Sequence, residues 1–336
     1  MSALELNKGE SGRVKVGDKR LINAVSDVNQ LVPFKYRWAW EMYNNSSNNH
    51  WMPQETNLTN DKNFFVNEKP EVVKNIKLAL AAVILNHTYS KGDMSQAIYR
   101  VMTAPECRQF MLRQLFEESL DMHVVTYICK ELFIDLEEII DLNYAQEEYN
   151  DRYSRYQEFT SSSDFVTTTE KGIVDFFKLF TAVNIGGKVV RAQAALVYMT
   201  EYLPAHYSGL RELFKRLLAT NISHAEFAVE FINSMKYENP VCANQAIGVY
   251  MLSELKELAA LECTQFGKFD IPNHNGVFRD YVNYRVLSYC KKVGFYNQPQ
   301  HLANPIPGTD VLPGIKVEHK QEQAAASVVN NGLDWD

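Results

Sequence analysis

The sequence predicts an all-α protein, and three features indicate this. From about residue 31 to about residue 295, most segments repeat their apolar residues at helical spacing. Short groups of Asn, Gly, Ser or Pro separate these segments. Two of the longest segments begin at Pro70 and Pro105, and proline is favoured in the first turn of a helix.

The composition is that of a globular protein without a role in nucleic-acid binding. Of the 336 residues, 46% are hydrophobic and 22% are charged, which excludes a wholly disordered chain. The 34 Lys and Arg against 41 Asp and Glu give a net charge of −7, which does not favour binding to nucleic-acid phosphates. The five cysteines form no closely spaced pair, so we expect a reducing, cytoplasmic setting. Residues 1–30 lack an apolar core and no apolar stretch reaches about 18 residues, so neither a leader nor a membrane span is expected.

Two predicted helices carry most of the later argument. The first covers residues 69–86 and is apolar on nearly every face, which is typical of a helix in the middle of a bundle. The second begins at Pro105. Its helical spacing places Glu118 and Asp121 on one face with Val125.

The remaining segments complete a single helical domain. Further helices are predicted over residues 172–202, 209–237, 243–263 and 276–294. Residues 144–170 are predicted to be an irregular surface connection, and Gly294 to end the last helix. The expected organisation is a polar arm over residues 1–30, one helical domain over 31–310 and a flexible tail over 311–336.

Several sequence blocks occur together in a fixed order. They are YRWAWEMY with HWMPQE (36–43, 50–55), YRVMTAPECRQFMLRQLFEES (99–119), HAEFAVEFINSMKYENP (224–240), NPIP (304–307) and a terminal LDWD. In this order they resemble the small (β) subunit of class I ribonucleotide reductases along nearly the whole chain. The resemblance implies a ferritin-like helical bundle that forms a homodimer and docks its C-terminal peptide on the large (α) subunit. It also implies a part in making deoxyribonucleotides for DNA replication.

Three carboxylate ligands of the family's two-metal site are replaced in this sequence. The resemblance implies that Val83, Gly187 and Asn221 occupy positions where family members have Asp or Glu. None of these side chains can supply a carboxylate oxygen to a metal ion. A dinuclear site is therefore not expected, and no cofactor is expected.

A smaller set of possible ligands remains. The resemblance retains Glu118 and His224, while Asp121 stands where the family has a histidine. Together they leave open one weakly bound divalent ion held by two carboxylates and one histidine. The alternative is that Glu118 is a buried acid held by a donor such as His224 or Asn221, or by the ammonium of Lys188.

The radical pathway implied by the resemblance is also altered. Val125 replaces the radical tyrosine, and Thr220 replaces an aspartate that assists the relay. Trp51, a relay tryptophan in the family, is retained, although without its partners it is better explained as a packed core residue. The tail lacks a tyrosine but ends with two apolar residues, Leu333 and Trp335, which match the family's docking peptide.

These residues support two hypotheses about function. In the favoured one, the protein is a small-subunit-like component that binds the large subunit without metal-dependent radical generation. In the other, it is an active β subunit of ribonucleoside-diphosphate reductase, an oxidoreductase, and uses an atypical metal-free or mononuclear radical cofactor. A third hypothesis is that small residues at Val83, Gly186 and Gly187 leave a cavity for a small ligand.

Overall fold

The computed structural model describes residues 16–22, 31, 34–48, 50–91, 93–144, 168–246, 251–271, 275–295 and 303–309. Within these ranges the chain is mainly helical and forms no β-strand; an isolated antiparallel bridge pairs Ile22 with Met102. The predicted all-α class is confirmed. In the part of the chain so described, no helix is both long enough and apolar enough to cross a membrane.

The described residues form a series of helices. The α-helices are α1 Arg37–Asn48, α2 Thr59–Phe65, α3 Pro70–Lys91, α4 Asp93–Val101, α5 Pro105–Leu132, α6 Leu136–Tyr144, α7 Glu170–Thr181, α8 Gln193–Val197, α9 Ser208–Glu238, α10 Pro240–Ala246, α11 Leu252–Phe266 and α12 Asn275–Lys292. Two π-helical segments, Ala182–Val190 and Tyr198–Tyr202, follow α7 and α8. Short 3₁₀ turns cover Val16–Asp18, Pro53–Glu55 and Pro307–Thr309.

Helix α5 is the central element, and its predicted start at Pro105 is confirmed. It packs against α1, α3 and α9. Its buried face carries apolar side chains together with acidic ones, including Glu117, Glu118 and Asp121. The helix ends at Phe133, which has a positive φ of 58° and donates its backbone N–H to the carbonyl of Cys129.

The predicted continuous helix over residues 172–202 is wrong. After α7 the chain widens into the first π-helical segment, where the N–H of Arg191 bonds to the carbonyl of Gly186. The next residue, Ala192, has a φ of 60°, which a helix cannot accommodate. The carboxylate of Glu262 accepts the N–H groups of Ala192 and Ala194, each at 3.1 Å, so this interruption is stabilised from α11.

The structure describes the two ends of the predicted helix over residues 243–263, and residues 247–250 lie outside the described residues. Helix α10 ends at Ala246 and α11 begins at Leu252. The last predicted helix is confirmed as α12, and Gly294 after it has a φ of 74°, as expected for a helix stop. The predicted connection 144–170 lies largely outside the described residues, as does the tail from residue 310.

The core lies between α3, α5, the first π-helical segment and α9. Aromatic rings join these elements: Phe110 of α5 stacks on Phe227 of α9 with ring centroids 4.0 Å apart. Phe180 of α7 stacks on Phe231 of α9 at 4.4 Å. The N-terminal arm is partly anchored on this body, because Leu21 is buried.

Candidate functional site

An ion pair lies at the centre of the bundle. The ammonium nitrogen Nζ of Lys188, on the first π-helical segment, lies 2.6 Å from Oε1 of Glu118 on α5. The side chain of Lys188 is 0% exposed and that of Glu118 is 2% exposed. The sequence left this ion pair open as one of several partners for Glu118, and the structure contains it.

Neutral polar groups complete the surroundings of Glu118. The side-chain amide of Gln114 donates to Oε1 of Glu118 at 3.0 Å and to Oδ1 of Asn184 at 2.7 Å. The hydroxyl of Ser95 donates to Oε2 of Glu118 at 3.4 Å. The Lys188 ammonium is held by charge, without an aligned hydrogen bond to any described residue. A buried carboxylate needs such partners because its desolvation is costly.

His224 forms its hydrogen bond with Glu117, the residue before Glu118. Its Nε2 lies 2.7 Å from Oε2 of Glu117, and the His224 side chain is 1% exposed. Glu117 also accepts hydrogen bonds from Ser46 at 2.7 Å and from Nε of Arg113 at 2.8 Å. Glu117, which the sequence analysis did not single out, is therefore the residue that fixes the imidazole.

The charge states of this second pair follow from its surroundings. Burial would raise the pKa of Glu117, but the hydrogen bonds from His224 and Ser46 and the charge of Arg113 lower it to about 2. Burial lowers the pKa of His224, and the nearby Lys188 ammonium lowers it further, against the opposing effect of Glu117. A neutral His224 donates through Nε2 to the carboxylate, and its Nδ1 has no hydrogen-bond partner among the described residues.

The positions at which the resemblance predicts replaced ligands, and the position predicted for the radical tyrosine, are buried in this same region. Val83 on α3 and Val125 on α5 belong to the apolar core. Gly187 lies in the first π-helical segment and Asn221 on α9, and both are buried. The space beside Gly186 is filled, because an added Cβ there would lie 2.9 Å from Cδ1 of Leu258. This packing gives no support to a cavity beside Gly186.

In the part of the chain that the structure describes, the retained family positions have other partners than a metal ion. Among the described residues, no three His, Cys, Asp or Glu side chains group together as metal ligands. Glu118 faces an ammonium, and His224 faces Glu117. Asp121 is buried on α5, one turn beyond Glu118. The set of Glu118, Asp121 and His224 as ligands of one ion stays a prediction.

The tryptophan that the resemblance matches to a relay residue is packed in the core. Trp51 is buried, and the guanidinium of Arg216 lies 5.6 Å from the centre of its ring. Thr220 donates its hydroxyl to the carbonyl of Arg216 at 3.0 Å, within its own helix. The predicted docking residues Leu333 and Trp335 lie outside the described residues.

Comparison with known proteins assigns this chain to a protein family. The model for "Ribonucleotide reductase, small chain" matches residues 28–298, which is most of the chain. The chain belongs to the ribonucleotide reductase small-chain family. A ribonucleoside-diphosphate reductase subunit beta from Chlamydia pneumoniae is 27% identical over 321 residues, covering 89% of each chain. A protein of the same name from Aquifex aeolicus is 27% identical over 127 residues, 37% of this chain and 17% of that protein.

Solved structures show the fold of the family. A ribonucleotide reductase R2 subunit from Clostridium botulinum is similar with a TM-score of 0.74 at 16% identity, over 90% of this chain and 95% of that one. A variant of an R2-like ligand-binding oxidase with a Mn/Fe cofactor has a TM-score of 0.58 at 15% identity, over 80% and 98% of the two chains. The predicted ferritin-like bundle of the reductase small chain is therefore confirmed as a fold.

Proposed function

We propose that this small-chain protein is a component of class I ribonucleotide reductase that binds the large subunit without assembling the usual dinuclear metal centre. The observation that carries the proposal is the buried ion pair between Lys188 and Glu118. The single positive charge of the lysine balances the retained carboxylate. The negative charge of Glu118 is thereby neutralised without a metal ion.

The electrostatics of the pair oppose a cation at this position. A divalent ion bound to Glu118 would lie within a few ångströms of the Lys188 ammonium in a region that excludes water. Like charges at this separation repel strongly in a medium of low polarity. A metal ion could bind there only if Lys188 lost its proton or turned away, and Lys188 is fully buried.

His224, the second residue that the resemblance retains, also has a partner within the protein. His224 donates to Glu117, which is charged because Arg113 and Ser46 stabilise it. Two carboxylates on neighbouring positions of α5 thus have different partners: Glu118 pairs with a lysine and Glu117 with a histidine. The buried charges are balanced in pairs, and this supports a structural role for both.

The role as a partner protein is supported by the C-terminal sequence. Leu333 and Trp335 are apolar residues at the end of a polar segment, and such residues can anchor a peptide in a groove. We propose that they dock on the large subunit and that the small chain acts as a homodimer. In this role the protein would be a scaffold, a regulator or the partner of a competent β subunit.

Two measurements with the cognate large subunit test the proposal. Calorimetry should detect binding of the full chain, and deletion of residues 332–336 should abolish it. Replacing Leu333 and Trp335 by alanine should have the same effect, whereas alanine at Asn330 and Asn331 should not. Unchanged affinity after the deletion would refute the docking role.

A second experiment tests whether the protein supports nucleotide reduction without a dinuclear metal centre. Nucleotide reduction is measured with this protein as the single small chain, while electron paramagnetic resonance records any radical. We expect neither turnover nor a metal-coupled radical while binding is intact. Turnover with a signal that depends on added iron or manganese would overturn the proposal. Turnover without a metal would favour the alternative, an active small chain with another oxidant.

A further inference from the structure

An apolar surface is exposed where α5 ends. Phe133, the residue after α5, is 75% exposed, and Val66, the residue after α2, is 70% exposed. Lys62 lies one helical turn before Val66, and its ammonium lies 3.9 Å from the centre of the Phe133 ring. Most of this ring stays open to solvent. We call Lys62, Val66 and Phe133 the Phe133 patch.

The exposed ring of Phe133 is costly for the folded chain. Its backbone has a φ of 58°, a conformation that glycine adopts more readily at this position after a helix. The side chain also leaves a large aromatic surface in water, outside the hydrophobic core. Strained residues and exposed apolar surfaces are both typical of binding sites. The patch is therefore suited to an apolar partner.

The last described residues hold the start of the C-terminal tail on the body of the protein. Thr309 is 0% exposed, and its hydroxyl accepts a hydrogen bond from the side-chain amide of Asn304 at 3.0 Å. Gly308 packs against the carboxylate of Glu201, because an added Cβ would lie 3.0 Å from both of its oxygens. The tail therefore leaves the body beside the second π-helical segment.

The patch is within reach of the chain end from this point. His206 lies five residues after Glu201, and its Nε2 lies 3.3 Å from Oε2 of Glu68, two residues beyond Val66. This path separates the start of the tail from the patch by about 55 Å at most. Residues 310–332 can extend to about 75 Å. The sequence LDWD at residues 333–336 can therefore reach the patch of its own chain.

We propose that residues 333–336 dock in cis on the Phe133 patch and thereby compete with the large subunit for the tail. This inference rests on the proposed function, because Leu333 and Trp335 are the residues proposed to anchor the tail on that subunit. In the docked state these two side chains are covered, so they cannot enter a groove on the large subunit. The patch is thus an autoinhibitory site.

The apolar side chains of the tail match the apolar surface of the patch. In an extended peptide, Leu333 and Trp335 point to the same side. The ammonium of Lys62 contacts the Phe133 ring but leaves most of it exposed. The indole of Trp335 stacks on this open part of the ring, and Leu333 covers Val66.

The charged residues next to the patch nearly cancel. Glu131 and Asp135 lie within two residues of Phe133 and oppose the acidic residues of the tail, whereas Lys62 and Lys130 attract them. Apolar contact therefore supplies most of the affinity. A contact of two apolar side chains is weak and exchanges readily, as competition with another partner requires.

Another exposed aromatic residue lies at the opposite end of the bundle. Tyr237 is 89% exposed. Its neighbour Glu238 bonds to Nζ of Lys35 at 2.9 Å, and the backbone N–H of Lys35 bonds to Glu106 in the first turn of α5. Phe133 follows the last turn of the same helix, whose 28 residues measure about 42 Å. Tyr237 is therefore a matched control for an exposed ring elsewhere on the surface.

Fluorine NMR of the full chain tests the docking in the absence of the large subunit. The four tryptophans are replaced by 5-fluorotryptophan, and Trp335→Phe identifies the resonance of the tail. We expect this resonance to be shifted from that of a synthetic peptide of residues 325–336. Phe133→Ala should return it to the peptide position, whereas Tyr237→Ala should leave it shifted. The three other resonances show that each variant is folded.

A mixing experiment separates docking in cis from docking on a second copy. Labelled chain with Phe133→Ala is incubated with an equal amount of unlabelled chain that lacks residues 332–336 and so offers a free patch. The tail resonance should stay at the peptide position. A move to the docked position would show that the patch binds the tail of another chain, which overturns the proposal. An unshifted tail resonance in the unmodified chain would overturn it as well.

Calorimetry with the cognate large subunit tests the inhibitory effect. Release of the tail should make the Phe133→Ala chain bind about two- to tenfold more tightly than the unmodified chain, in proportion to the fraction of docked tail. Unchanged affinity would overturn the inhibitory role. If Phe133 shifts the tail resonance but neither chain binds the large subunit, the docking in cis stands and the proposed function fails.

Discussion

Lys188 and Glu118 meet inside the bundle as an ion pair, with Nζ and Oε1 2.6 Å apart and both side chains buried. The pair joins the first π-helical segment to α5. Gln114 adds a neutral hydrogen bond to the same carboxylate oxygen and connects it to Asn184. Loss of one partner would leave the other charge unpaired in the core, which costs far more than loss of an exposed pair.

Replacement of the lysine should therefore destabilise the fold. Lys188→Met keeps a similar length but leaves Glu118 buried without a cation. We expect the free energy of unfolding in urea to fall by about 3–5 kcal/mol. Lys178→Met, at a partly exposed lysine 4.0 Å from Asp175, is the matched control and should change it by less than about 1 kcal/mol.

The double variant Lys188→Met with Glu118→Gln separates charge from packing. Glutamine can still bond to Gln114, and it carries no charge that needs a cation. We expect the double variant to regain most of the stability lost by Lys188→Met. If the two single losses simply add in the double variant, the ion pair is not the cause of the loss.

Metal content should reflect the same ion pair. Protein that is stripped and then reloaded with iron or manganese should hold far fewer ions per chain than the two of a dinuclear site. Lys188→Glu should raise the content, because it replaces the repelling cation with a second carboxylate facing Glu118. Elemental analysis of both proteins makes the comparison. Wild-type loading close to a full dinuclear site would show that Val83, Gly187 and Asn221 are matched to the wrong family positions.

The sequence predicted the helices better than it predicted the partners within the site. Pro105 and the apolar spacing after it located α5, and Gly294 marked the end of α12, because these signals act locally. The residue count matched Gly187 to a ligand position and left Lys188 as one of several possible partners of Glu118, and the structure shows that Lys188 reaches this carboxylate. A π-helical segment changes which residue faces the core, and nothing in the sequence marked it.

The pairing of Glu117 with His224 was missed for a different reason. Their separation along the chain is large, so only the packing of α5 against α9 brings them together. One local signal was present, because Arg113 lies four residues before Glu117 and such spacing favours an ion pair on one helix face.

The residue that follows the last turn of α5 has a strained backbone conformation, and a substitution can remove this strain. Phe133 has a φ of 58° and is 75% exposed, so its ring is not part of the core. A non-glycine residue in this left-handed conformation costs about 1–2 kcal/mol. The ring contacts the ammonium of Lys62 at 3.9 Å, which returns about 0.5–1 kcal/mol.

Phe133→Gly should accordingly raise the melting temperature by a small amount, with a gain of up to about 1 kcal/mol. Phe133→Ala is the control, because alanine loses the contact with Lys62 and keeps the backbone strain. We expect it to be less stable than the wild type. Thermal unfolding followed by circular dichroism ranks the three proteins, and a glycine variant that melts below the alanine variant would contradict the assignment of strain.

The N-terminus of α9, the helix that carries His224, is held by a carboxylate from another helix. Asp61 of α2 is fully buried and accepts the N–H groups of Gly209 at 3.2 Å and Leu210 at 2.9 Å. Gly209 permits this contact, because an added Cβ would lie 2.6 Å from Cδ2 of Leu58 and 2.9 Å from the carbonyl of Asn57. The cap therefore depends on both the carboxylate and the glycine.

Asp61→Ala should leave two backbone N–H groups without their acceptor and destabilise the protein by about 1–3 kcal/mol. Asp280→Ala, at an exposed position on α12, is the control and should stay within about 0.5 kcal/mol of the wild type. Because the effect begins at one helix end, hydrogen exchange of Asp61→Ala should accelerate first at the amides of the first turn of α9. If exchange there stays at the wild-type rate while global stability falls, Asp61 acts through the packing of α2 and not as a cap.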